Sequence, residues 1–157
     1  MLVVLAMELV HQVVVKLADI MTNPIDLQTA KSYIENLDLS YIVEAMCSLK
    51  YPLPRWVQQD AEHCCQLYKN FLYLQKKHHP TPLVPTREID EFWHNHILYT
   101  KQYTHDCQQI FGFYLHHVPN SPSEGHSLIN DFLHTKQFYL EEFGENIHDA
   151  SSHKICT

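Results

Sequence analysis

The chain has 157 residues, 45% hydrophobic and 18% charged, a balance that fits one globular domain and excludes a disordered chain. A formal net charge of −7 at pH 7 leaves no basic stripe for a nucleic acid or an anionic membrane surface, so neither is expected as a partner. Three glycines are too few for a hairpin-rich β architecture, and neither a Gly-rich phosphate loop nor a GxSxG nucleophile elbow occurs.

Residues 1–21, beginning MLVVLAMELV, form an apolar run that Glu8 interrupts. No basic segment leads it and the run is too short to span a bilayer, so the expectation is a buried or amphipathic first helix. Thr22-Asn23-Pro24 ends it. Asp26 is placed to cap a helix over 27–37, and Ser40 a third helix with Ile42, Val43, Met46 and Leu49 apolar. The two prolines of YPLPR, 51–55, break the chain. From Trp56 to Lys77 the apolar positions keep the helical period. HHPTPLVPT, 78–86, is a proline-fixed connector whose Thr86 can cap a long helix over 87–111, ended by Gly112. A loop with two prolines follows, then a last helix over 126–143 ended by Gly144. The expected fold is all-α, a single-domain bundle of about six helices over residues 1–145, with a flexible tail at 146–157.

The five cysteines, Cys47, Cys64, Cys65, Cys107 and Cys156, are odd in number and irregularly spaced, without a CxxC pair. That pattern argues against a disulfide framework or zinc ribbon and for reduced thiols in the cytoplasm.

Thirteen histidines are the chemically pointed feature. In EIDEFWHNHILYT, 88–100, Asp90 and His94 stand one helical turn apart and can share a ligand or each other. A carboxylate and an imidazole at this spacing make half of a site for zinc, iron or manganese. His96 lies about 200° round the axis from His94, toward Phe92, Tyr99 and Tyr103. His116 and His117 offer further imidazoles, but a straight helix places His94 roughly 27 Å from Gly112. Four extended residues return at most about 14 Å. A shared site with His94 therefore requires that helix to break. An antiparallel pairing of 56–77 with 87–111 sets residues whose numbers sum to about 164 opposite one another, and offers His63 or Glu62 as further ligands. The competing reading is a buried Asp–His hydrogen-bonded latch without metal.

LVPTREIDEFWHNHILYTKQYTHDCQQIFGFYLHHVP, 83–119, resembles the bacterial members of the glycine-rich-domain-containing-protein-like family. Its pattern is met by Pro85, Thr86, Asp90, Trp93, His94, His96, Ile97, Thr100, Tyr103, Asp106, Cys107, Phe111, Gly112, His116, His117 and Pro119. The resemblance extends over residues 40–145. It implies that the Asp, Trp and His positions form one signature, and it implies no particular reaction. With three glycines the chain has no glycine-rich region. The functional expectation is a divalent-metal site on Asp90 and His94, with His96, His63, His116 and His117 as further ligands, such as a metal-dependent enzyme would use. The alternative is a noncatalytic module that meets a protein partner through an apolar helix face.

Overall fold

The computed structural model describes residues 25–52, 55–118 and 125–147. The expected first helix over 1–21 lies outside them. Six helices are described: α1 (Leu27–Glu35), α2 (Ser40–Cys47), α3 (Gln58–His78), α4 (Arg87–Leu98), α5 (Thr100–Ile110) and α6 (Gly125–Phe143). The described fold is all-α, and no helix in it is long and apolar enough to cross a membrane.

Local chemistry sets several of the ends. The Asp26 carboxylate accepts the Thr29 backbone N–H at 2.9 Å and starts α1. Thr86 accepts the Ile89 N–H at the start of α4. Ser40 is not the cap expected for α2. It is the first helical residue, and its own N–H donates to Asp38 Oδ1 at 3.0 Å. Gly112 and Gly144 adopt φ of 79° and 72°, the left-handed conformation that stops α5 and α6.

Helix α3 is the axis of the bundle, with α1, α2, α4 and α6 packed around it. Phe71, Leu72, Tyr73 and Leu74 are all buried, which a one-sided surface helix would not allow. The α3–α4 register agrees with the 164 sum: Tyr68 meets His96 with ring centroids 5.8 Å apart, and Phe71 meets Trp93 at 5.6 Å. Helix α6 is tied to α3 by Asn70 donating to the Tyr139 hydroxyl at 2.8 Å and by the Lys77–Glu142 ion pair. It holds the 79–86 connector through the Val84 N–H, which donates to Thr135 Oγ1 at 2.9 Å. Ile147, within the expected tail, is 2% exposed and joins the core, while residues 148–157 lie outside the described ones.

The expected single helix over 87–111 is two helices. Tyr99, at φ −83° and ψ 61°, leaves helical geometry and redirects the chain. Two hydrogen bonds across the break show what it achieves. Trp93 Nε1 donates to the Tyr103 hydroxyl at 2.8 Å, and His96 Nε2 meets Asp106 Oδ2 at 3.0 Å. Each pair is ten residues apart, which a straight helix would separate by about 15 Å along its axis. Folding α5 back on α4 gives the buried ring nitrogens Trp93 Nε1 and His96 Nε2 their partners.

Candidate metal centre

The break has a direct consequence for the site. Segment 112–118 returns beside α4, and His117 Nε2 donates to Asp90 Oδ1 at 2.6 Å. His94 Nδ1 lies 3.4 Å from Asp90 Oδ2, and the His94 and His117 ring centroids are 4.3 Å apart. One ligand atom from each of Asp90, His94 and His117 lies within 4.8 Å of the others. Ligands at about 2.1 Å around a tetrahedral zinc sit about 3.4 Å apart, so modest side-chain rotations would close the group on an ion. Two imidazoles and one carboxylate suit zinc, iron or manganese. His94 Nδ1 also donates to the Asp90 backbone carbonyl at 2.7 Å, an arrangement that leaves Nε2 with a lone pair to offer.

The expectation of an interior Asp–His pair needs correction. The Asp90 and His94 side chains are 37% and 55% exposed, because α4 turns this face outward while Ile89, Phe92, Trp93 and His96 face the core. Only His117 is largely covered, with the Trp93 ring against it at 4.5 Å between centroids. Beside Asp90 and His94 lies a groove of about 430 Å³, also lined by Tyr51, Pro52, Arg87, Glu91, Asn95 and Leu98. Its wall is held by Glu91 Oε1, which accepts the Trp56 indole N–H at 2.8 Å and the Tyr51 hydroxyl at 3.0 Å, while Asn95 donates to Tyr51. Burial, against the pull of Asn95 and reinforced by the Glu91 carboxylate, pushes the Tyr51 phenol up to about 12.

His96 belongs to a separate, buried polar centre. It is fully buried, with Nε2 on Asp106 and Nδ1 3.0 Å from the Tyr68 hydroxyl, so both ring nitrogens are engaged within the core. Asp106 also accepts the Tyr33 hydroxyl at 2.6 Å and the Gln102 amide at 2.9 Å. Burial alone would raise the Asp106 carboxyl. The hydrogen bonds from His96 and Tyr33 outweigh it and hold the group below its ordinary range.

The structure thus brings Asp90, His94 and His117 together and does not bring His63, His96 or His116 to them. His63 is exposed on α3, and His116 is exposed with its ring 4.8 Å from that of Tyr114. Glu62 accepts from Gln58 within α3. It lines a larger groove of about 770 Å³ between α2 and α3, which also carries Cys47 and Cys65. That groove is apart from the Asp90 group, and burial raises both thiols, so neither is an activated nucleophile. Sequence reasoning missed Tyr33, Tyr68 and Asp106 as polar partners. The signal for Asp106 was available: a charged residue on the apolar face of a helix needs a buried partner.

Comparisons with known proteins agree with the residue pattern. A profile of the UCP032817-like family matches residues 29–156, which include every residue of the Asp90 group and of the buried centre. Glycine-rich domain-containing protein 2 of Arabidopsis thaliana is 28% identical over 151 residues, covering 83% of this chain and 19% of its own length. Glycine-rich domain-containing protein 1 of the same plant is 28% identical over 138 residues, covering 71% of this chain and 17% of its own. The chain therefore spans about a fifth of the length of these relatives. No solved structure matches it. With the matched segment spanning α2 to α6 whole, this chain belongs to the UCP032817-like family and is related to the glycine-rich domain-containing proteins.

Proposed function

We propose that this protein binds one divalent metal ion, zinc, iron or manganese, through Asp90, His94 and His117, and that it is a metal-dependent enzyme acting in the adjoining groove. The observation that carries this reading is the convergence of two imidazoles from different segments on one carboxylate, beside a groove walled by two of the three. A three-residue ligand set is what catalytic sites use, since it leaves coordination positions for water or substrate. Such an ion supplies either an acidified bound water or a place for oxygen, according to its identity. The residues themselves hold it, orient the imidazoles through the Asp90 carbonyl and the Trp93 ring, and admit solvent on the Asp90–His94 side. We read the setting as cytoplasmic, from the irregular cysteine spacing.

A second reading has its own support. The 2.6 Å bond from His117 to Asp90 already pins segment 112–118 to α4, as a latch would without metal. Function would then rest on a protein partner, and α6 presents Ile129, Leu133 and Leu140 at 62%, 55% and 44% exposure. Calorimetric titration of the untagged, metal-free chain with zinc separates the two. The metal reading expects one tight site in the wild type that is lost in Asp90→Ala, His94→Ala and His117→Ala. Saturation at about 100 times Kd should add about 2.7 kcal/mol of stability. A chain that takes up no zinc, and in which Asp90→Ala and His117→Ala only lower the melting temperature, supports the latch.

A further inference from the structure

We infer that Tyr103 is a positioning residue for His117, an assignment that rests on reading Asp90, His94 and His117 as a metal site. Segment 112–118 has no helix or strand to hold it, yet it must present one imidazole to a carboxylate on another element. Phe113, Tyr114, His116 and Val118 are exposed, whereas Leu115 and His117 are half-buried. Alternate residues of an extended segment face the same side, so whatever fixes Leu115 also fixes the face on which His117 stands. Tyr103 does so. It is 1% exposed, and its hydroxyl donates to the Leu115 carbonyl at 2.6 Å while accepting the Trp93 indole N–H at 2.8 Å. The same indole lies against the His117 ring. One hydroxyl thus joins α4, α5 and the returning segment two residues before the ligand. Its hydroxyl bonds to none of the three ligand side chains among the described residues. The group acts through geometry alone, in the way that partners of ligating residues orient metal sites.

The test uses the full chain as wild type, Tyr103→Phe and Tyr68→Phe. The last removes another buried hydroxyl, the one on His96, without a bond to segment 112–118. Zinc affinity should fall about 10–100-fold in Tyr103→Phe and stay within about two-fold in Tyr68→Phe, although both lower the melting temperature. Unchanged affinity in Tyr103→Phe, with binding lost in His117→Ala, overturns the inference and leaves the metal site standing. If the wild type takes up no zinc, the metal reading itself has failed. The positioning role is then decided by nuclear Overhauser contacts between the Trp93 indole and the His117 ring in the metal-free chain. Their loss in Tyr103→Phe supports it and their persistence overturns it. Should Tyr103→Phe not fold, Trp93→Phe carries the same test: weaker zinc binding supports the clamp and unchanged binding overturns it.

Discussion

Replacing Asp106 by alanine removes the acceptor on which three side chains of the buried centre converge. The three donors do not lose equally. Gln102 is exposed and rehydrates, and Tyr33 is half-buried and recovers part of its bonding from water. His96 is fully buried, and its Nε2 is stranded with no route to solvent. Losing a charge-assisted bond and stranding one buried donor should together destabilise by about 3–5 kcal/mol. For a chain of this size that corresponds to a melting-temperature drop of about 6–20 °C. Thermal and urea unfolding followed by circular dichroism read it directly. A loss below about 1 kcal/mol would show that the core tolerates an unpaired His96, and the account of the buried centre would fail. Acid provides an independent check. The Asp106 carboxyl titrates lower in the folded chain than its ordinary 3.8, so the unfolded chain takes up that proton first as pH falls. Its contribution is complete above that ordinary value and is lost as pH falls through the lower folded value; the acid limb should vanish in the alanine variant.

The Tyr41 hydroxyl is buried with no hydrogen-bond partner among the described residues, and burial raises its phenol. Tyr41→Phe should therefore stabilise by about 1 kcal/mol in urea unfolding, and a destabilisation of that size would reveal a partner for the hydroxyl. Gly112→Ala should lower stability by about 1–2 kcal/mol through its positive φ alone, since an added Cβ meets only Ile25 at an ordinary 3.7 Å. Gly144→Ala, with nothing within 4 Å of the added Cβ, should match it, and a much larger loss at Gly112 would point to packing instead. His63→Ala and His116→Ala should retain the zinc affinity of the wild type, because both imidazoles stand away from the Asp90 group.

Helix boundaries were legible wherever a local residue decides them. Asp26, Thr86, Gly112 and Gly144 act as their chemistry predicts, and Pro52 lies between α2 and α3. The α3–α4 register was legible because a short connector between antiparallel helices fixes which residues meet. The break at Tyr99 was not. It contains neither proline nor glycine and is imposed by bonds from Trp93 to Tyr103 and from His96 to Asp106, which only the folded chain makes. That single feature controlled the site. Spacing alone pointed to Asp90 and His94, and His117 was a further candidate whose approach to them required the helix to break, as it does at Tyr99. Conversely, His96 sat in the same motif and was drawn away by Tyr68 and Asp106. Helical phase separated it from His94 correctly but did not reveal its partners.

The central claim is that Asp90, His94 and His117 close on one ion. Crystals of the untagged chain grown with zinc, with diffraction recorded on both sides of the zinc absorption edge, test it most directly. One strong anomalous peak is expected about 2.0–2.2 Å from a carboxylate oxygen of Asp90 and from one ring nitrogen of each histidine. Full-occupancy protein without a peak there, or with its dominant peak at His63, His116 or the thiols of Cys47 and Cys65, would contradict it.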